Sequence, residues 1–252
     1  MQRVTTTAPF TVSGYFPIGA SLTAYEEKGA LRLLLAGGSS TADYFQNFHP
    51  VARTFIFDPM VGFSLGEPTV VSTDYHGFAE RADNSRMARA ADGALHITYT
   101  RALNAPDDHD YFSFTRSRNA AGDWQPEVRA ENFPDSNTAN SILVDSNGLL
   151  HHGFTFNVGG FHTTSADGGA SWSAPMPIRD GGWGFWDWNT QLAQVGDRVF
   201  AVFHSCYGWQ DFPANVMLRE WQAGTDWGGP VLLTTLPNED AMGTGAGSPR
   251  CV

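Results

Sequence analysis

Ala20-Ser21-Leu22-Thr23 opens an alternating stretch, and its pattern returns four times along the chain. The copies are Asn84-Ser85-Arg86-Met87, Asn140-Ser141-Ile142-Leu143, Asn189-Thr190-Gln191-Leu192 and Gly247-Ser248-Pro249-Arg250. Each reads as a small residue, a Ser or Thr, then alternation. The Ser/Thr positions lie 64, 56, 49 and 58 residues apart. In the first four copies a Gly turn follows: Lys28-Gly29, Asp92-Gly93, Asn147-Gly148 and Gly196-Asp197. An apolar run with strand chemistry comes next: 31–36, 95–99, 149–156 and 199–204. Self-similarity at this period marks a repeat architecture, and here it reads as a propeller with the pattern on the innermost strand of each blade.

Proline marks the other end of each repeat. Pro68-Thr69-Val70-Val71, Pro126-Glu127-Val128, Pro175-Met176-Pro177-Ile178 and Pro230-Val231-Leu232-Leu233 are expected to be outermost strands. An edge strand tolerates Pro because one side of it needs no ladder donor. Pro9-Phe10-Thr11-Val12 has the same form and sits at the start of the chain. The expected fold is therefore all-β: a single propeller over residues 1–252, with five blades and the last closed by both termini. The blades are expected at 21–72, 85–132, 141–180, 190–236, and 248–252 plus 1–14.

Composition agrees with many short strands and tight turns: 27 Gly, 14 Pro, 13% aromatic and only 16% charged residues. The formal net charge is −11, and Lys and Arg form no run, which argues against nucleic acid as a partner. Lys28 is the only lysine and falls on a predicted turn, so a buried Schiff-base lysine is not expected. Cys206 and Cys251 are read as two buried thiols on neighbouring blades, not as a disulfide framework. Residues 1–10 lack the apolar core of a leader and no stretch suits a bilayer. The expectation is a chain without membrane partners, either cytoplasmic or a mature secreted form. Oligomeric state is not legible.

Ser165-Ala166-Asp167-Gly168-Gly169-Ala170-Ser171-Trp172 is the most specific motif present. It fits S-x-D-x-G-x-[ST]-W at every defined position. Asp and Ser oxygens can satisfy local backbone donors, Gly permits positive φ, and Trp packs beneath the turn. Ser117–Trp124 is a degenerate copy and Gly224–Trp227 a weaker one. On these residues the chain resembles the sialidase-like (BNR/Asp-box) β-propellers. The resemblance implies the propeller fold and a peripheral, structural role for Asp167. Sialidases of that superfamily also carry an Arg-Ile-Pro motif, an arginine triad and six blades. This chain has no Arg-Ile-Pro, so sialidase chemistry is not carried over to it.

In a propeller, the segments joining one blade's outer strand to the next inner strand converge on the axis, and loops on a rigid scaffold carry function. These segments hold Asp74, Tyr75 and His76; Glu131 and Phe133; and Trp183, Phe185, Trp186 and Asp187. Core packing accounts for any one aromatic. Three Trp and a Phe within six residues point to an apolar platform over a central pocket. Asp187, set among aromatics, is the candidate general acid, His76 the candidate base and Asp74 a partner carboxylate. Arg86 and Arg250 could hold a carboxylate or phosphate, or pair with nearby acids. Tyr75, Phe133, Asn140 and Asn189 complete the candidate substrate contacts, with Trp183, Phe185 and Trp186.

His96, His151, His152 and His204 lie on or near second strands without local metal-ligand spacing, so no metal and no cofactor are expected. Asp107-Asp108-His109-Asp110 lacks the spaced ligands of a calcium loop. The reading is an enzyme acting on a glycan or other small molecule by acid/base chemistry: a carbohydrate hydrolase or lyase, or a cyclase or isomerase of an apolar metabolite. A lectin and a non-catalytic scaffold stand as alternatives. A lectin propeller repeats its binding residues from blade to blade, whereas these connecting segments differ from one another.

Overall fold

In a computed structural model the described residues are 18–27, 30–40, 48–58, 62–65, 69–71, 82–102, 111–131, 137–156, 159–178, 185–207, 215–222 and 226–234. They form strands and turns, and no helix among them is long and apolar enough to cross a membrane. Four antiparallel sheets follow one another along the chain. The first contains β1 (Ile18–Glu27), β2 (Ala30–Ser40), β3 (Phe48–Asp58), β4 (Gly62–Leu65) and β5 (Thr69–Val70). The second contains β6 (Ala82–Arg89), β7 (Leu95–Ala102), β8 (Tyr111–Arg118) and β9 (Val128–Arg129). The third contains β10 (Asn137–Val144), β11 (Leu150–Phe156), β12 (Gly159–Ser165) and β13 (Met176–Pro177). The fourth contains β14 (Phe185–Val195), β15 (Arg198–Tyr207), β16 (Asn215–Gln222), β17 (Asp226–Trp227) and β18 (Val231–Leu232).

Each sheet is a meander, and the first strands pack side by side in chain order: β1 on β6, β6 on β10, β10 on β14. That is the radial arrangement of a β-propeller, with four blades in the described residues. The fifth blade expected from 248–252 and 1–14 lies outside them. The proline segments do end each blade: β5 pairs with β3, β9 with β8, β13 with β12 and β18 with β16.

The Ser/Thr pattern marks something other than a strand start. β1, β6, β10 and β14 all begin several residues earlier. Their pairing register slips between Ile18 and Ser21, Asp83 and Arg86, Ala139 and Ser141, and Trp188 and Gln191. The repeated residues therefore sit at a β-bulge, where an inner strand bends. After it the ladder runs unbroken to the Gly turn. Gly93, Gly148 and Gly196 take positive φ there (97°, 81° and 64°), a conformation closed to most side chains. Asp92 and Asp145 reinforce two of these turns, accepting from Ala94 N and Asn147 N at 2.9 and 2.8 Å.

The core lies between blades. Val71, Met87, Leu95, Ile97, Tyr99, Phe112 and Phe114 join blades one and two. Ile178, Leu192, Ala201, Phe203 and Trp227 join blades three and four. An arginine tightens each boundary. Arg116 Nη1 donates to Val71 O at 2.6 Å, and its Nε to Gln125 O at 2.9 Å. Arg219 donates through Nη1 to Ile178 O, through Nε to Gly228 O and through Nη2 to Trp227 O.

The Ser165–Trp172 segment is the turn between β12 and β13. Ser171 N and Ser171 Oγ donate to Asp167 at 2.9 and 2.5 Å, and Ser165 Oγ donates to Asp167 at 2.8 Å. Gly169 N donates back to Ser165 Oγ at 2.8 Å. Gly169 has φ 93°, and a Cβ there would stand 3.1 Å from Ser117 Oγ, so both backbone and space call for glycine. Asp167 itself is exposed.

Candidate functional site

The expected site residues that fall among the described ones lie on or beside the bulges of the inner strands. Blades three and four are locked there by a side chain. Ser141 Oγ accepts from Leu192 N at 2.9 Å, which fixes the level of β10 against β14. Behind it, His152 Nδ1 lies 2.9 Å from Ser141 O. The approach is close enough to exclude a side chain on the neighbouring strand. A Cβ at Gly153 would stand 3.2 Å from Thr190 Cγ2 and 3.4 Å from Leu192 Cγ. Thr190 is fully buried, and its Oγ1 has no hydrogen-bond partner among the described residues.

Phe185, Trp186, Asp187 and Asn189 belong to β14, not to a free connecting loop. Phe185 stands opposite Tyr207, Trp186 opposite Cys206 and Asp187 opposite Ser205. The connection is shorter than the sequence suggests because the β14–β15 ladder runs on beyond the bulge, and Asn189 falls within the register shift. Asn140 occupies the shift in β10. Arg86 follows the shift in β6, opposite Thr98; it is half-buried and engaged within the protein. Asp74, Tyr75, His76, Phe133, Trp183 and Arg250 lie outside the described residues.

Blade two contains a buried charged group that the sequence analysis did not find. Arg101 Nη1 lies 2.8 Å from Glu127 Oε1, with both side chains 6% exposed, and Tyr99 OH donates to the other oxygen of Glu127. The guanidinium also lies 4.3 Å over the Phe114 ring. Nearby, Glu131 Oε1 accepts from Ser113 N at 2.8 Å, and Glu131 O accepts from Arg129 Nε at 2.6 Å. Arg129 stacks 3.5 Å over Phe112. Every one of these contacts pins the last residues of blade two before the connection that starts at 132. Pro126-Glu127 was the available signal: an acidic residue beside an outer strand, which needs a cationic partner once it is buried.

The histidines divide between two boundaries. His96 Nδ1 lies 2.8 Å from Ser117 Oγ, and His152 lies at 3.5 Å from Thr98 Oγ1. Both face the boundary of blades two and three. His151 and His162 stack at the boundary of blades three and four, with His151 Nδ1 3.0 Å from His162 Nε2. Trp221 and Trp227 close over His162 at 4.7 and 5.0 Å between ring centroids. Burial holds all four histidines below their ordinary pKa, His152 to about 4 and His162 well below 6.5. They are neutral near pH 7, as a close imidazole pair sharing one proton requires. Among the described residues no group of three or more His, Cys, Asp or Glu could hold a metal ion.

No family model matches the chain, and no curated protein matches it in sequence. Solved structures do share its architecture. A protein of unknown function from Dyadobacter fermentans superposes with a TM-score of 0.59 at 12% identity, covering 85% of this chain and 69% of that one. An N-acetylgalactosamine deacetylase from F. plautii gives 0.56 at 13% identity, covering 87% and 71%. An alpha-L-arabinofuranosidase from Lactobacillus brevis gives 0.52 at 14% identity, covering 85% and 77%. At these identities the likeness is one of fold, and it places this chain among β-propellers.

Proposed function

We propose that the chain is a carbohydrate-processing β-propeller with a single site on its axis, at the end where outer-to-inner connections arrive. The substrate is a glycan. Asp187 serves as general acid, with Asp74 as its partner carboxylate, and His76 as base. Trp183, Phe185 and Trp186 form the apolar platform for a sugar face, and Tyr75, Phe133, Asn140 and Asn189 complete the contacts. Arg86 and Arg250 orient the acidic groups. The substrate class is carried over from the fold shared with the deacetylase and the arabinofuranosidase. The observation that carries the site is Phe185-Trp186-Asp187 standing at the entry of an inner strand, beside its bulge. Bulges recur beside active sites because they re-aim the residues around them.

Ring closure belongs to the same reading. Val71, Ala130 and Ile178 follow the outer strands of the first three blades and are 0–1% exposed under the next blade. Leu233 holds that place in blade four and is 51% exposed. A fifth blade from both termini would cover it, and Ser165–Trp172 would then be a peripheral Asp-box turn.

The test is turnover of aryl glycosides and of N-acetylated sugars by the wild-type protein and Asp187→Asn. Loss of the acid lowers turnover roughly 10²-fold or more while sugar binding persists. Full activity in a folded Asp187→Asn protein would place the acid elsewhere.

A further inference from the structure

We infer that Asp145, His151 and His162 form one hydrogen-bonded chain that acts as a pH-sensitive catch between blades three and four, closed while both rings are neutral and released when both are charged. The chain starts at a turn. Asp145 Oδ1 accepts from Asn147 N and Leu149 N, both at 2.8 Å, which fixes the carboxylate. Its other oxygen lies 3.5 Å from His151 Nε2. His151 Nδ1 lies 3.0 Å from His162 Nε2, with the rings stacked and both residues fully buried. His162 Nδ1 has no partner among the described residues, so the chain ends there. Trp221 and Trp227 of blade four lie against the His162 ring, which places the pair on the boundary. The pair is not part of the repeat. Aligned by register, blade two matches His96 to His151 but has Thr115 where blade three has His162.

A histidine bonded to a hydroxyl, as His96 is to Ser117, can take up a proton and keep that bond. Two imidazoles bonded to each other have less freedom. The chain offers three proton positions: His151 Nε2, the gap between the rings, and His162 Nδ1. Two neutral rings bring two protons. Burial opposes the charge on Asp145, but the Leu149 and Asn147 N–H groups and His151 outweigh it and hold the carboxyl below its ordinary range, so it is ionised at pH 7. It draws one proton to His151 Nε2; His162 Nε2–H then fills the gap, and His162 Nδ1 is left as an acceptor. One added proton fits on that Nδ1. A second has no place except the gap, where two N–H groups would face each other, so it parts the rings. Among the described residues Asp145 is the only carboxylate in contact with either ring. Glu220 is paired with Arg198, and Asp226 is exposed with Oδ1 held by Trp227 N. Arg219, which grips Ile178 O and Trp227 O, and His152 when protonated add only like charge. Parting of the rings removes the surface on which Trp221 and Trp227 pack.

Residue-resolved NMR of the full chain, with isotope-labelled histidine and tryptophan, tests this between about pH 8 and pH 4. At pH 7 both rings should carry their proton on Nε2. Asp145→Asn keeps an acceptor for the turn, but its amide can donate to His151 Nε2, so Nδ1-protonated forms of both rings should rise to roughly a tenth of the population or more. On acidification the wild-type rings should charge together, in a step steeper than a one-proton titration, and the indole signals of Trp221 and Trp227 should shift in the same step. In His162→Gln, whose amide bonds His151 in either charge state, His151 should titrate alone with a one-proton slope. The wild-type titration needs no variant, so the catch stays testable even where a variant fails to fold. Independent one-proton curves for His151 and His162, or Nδ1-protonated rings in the wild type at pH 7, overturn the catch. So does a tautomer pattern unchanged in Asp145→Asn. A single step in which every histidine charges at once is global unfolding, and it overturns the catch as well.

Discussion

The boundary between blades three and four and the boundary between blades two and three are sealed by different chemistry. At the first, an apolar cluster spans the gap and Arg219 grips the end of blade three. At the second, neither core cluster crosses. Blade two presents His96, Thr98, Thr115 and Ser117, all buried. Blade three answers with His152 and with the turn before β13: Trp172 Nε1 donates to Thr115 Oγ1 at 3.2 Å, and Gly168 O accepts from Ser117 Oγ at 2.8 Å. The cause lies at one register position. Arg116 stands opposite Ile97, Arg219 opposite Ala201 and Arg53 opposite Leu35, whereas Thr163 stands opposite His152. A threonine is too short to reach the preceding blade, and Thr163 bonds Ser173 O within its own sheet at 2.7 Å. The Ser165–Trp172 turn supplies the contact instead. Apolar burial is non-directional, while a hydrogen-bonded seam must keep its geometry, so the two boundaries should fail differently.

The largest effect is expected at the arginine. Arg219→Met keeps the aliphatic bulk but strips three carbonyls of their donor at a buried position. Each carbonyl left unpaired costs about 1–3 kcal/mol, and they share one environment, so the total should be about 3–5 kcal/mol. Arg116→Met removes two such bonds at a half-buried position and should cost about half as much. Urea denaturation of both variants measures this. Equal and small losses would show that the apolar clusters alone hold these boundaries.

Acid should strain the hydrogen-bonded seam next. His152 is fully buried and its pKa is lowered to about 4. An unfolded histidine titrates near 6.5. Between those values the unfolded chain binds more protons than the folded one, so stability falls as pH drops from 6.5 to 4 and levels off below. For His152 the loss amounts to about 3 kcal/mol across that window. His96, His151 and His162 act in the same direction. His152→Gln removes one titrating group, so its stability should depend less steeply on pH across this window. A wild-type slope in that variant would assign the acid sensitivity to His96, His151 and His162.

These seams explain how far the sequence could be read. The Gly turns, the proline-led outer strands and the repeat itself depend on residues close in sequence, where turn chemistry and local backbone limits act. They were legible, although the Ser/Thr pattern marked a bulge and not the strand start. Asp187 was placed on a loop because pairing with Ser205 is a contact across the sheet, which alternation alone does not reveal. The Arg101–Glu127 pair and the stacked His151 and His162 arise where separate strands pack, and they follow from register. Arg53, Arg116 and Arg219 look unrelated until the strands are aligned. Of the candidate site, Asp74, Tyr75, His76, Phe133, Trp183 and Arg250 remain expectations of the sequence.

The smallest effect concerns the turn that replaces an arginine. Asp167 is held to a pKa of about 2, first by the Ser171 hydroxyl, then by Ser171 N and the Ser165 hydroxyl. Its folded value lies below its unfolded one, so its contribution is present above about pH 4 and is lost as pH falls toward 2. A buried group left without its hydrogen-bond partner costs about 1–3 kcal/mol. Asp167 is exposed, and water competes for each of its bonds, which discounts the loss in Asp167→Ala to about 1 kcal/mol at pH 7. The turn has support that does not pass through the carboxylate: Gly169 N still reaches Ser165 Oγ, and Ser117 still reaches Gly168 O. Thermal melts at pH 7 and pH 2.5 test this, with the difference between variant and wild type shrinking at the lower pH. A loss of several kcal/mol at pH 7 would mean that Asp167 orders the whole seam between blades two and three. Trp172 would then depend on the turn's shape more than on its own burial, and the two boundaries would differ in rigidity as well as in chemistry.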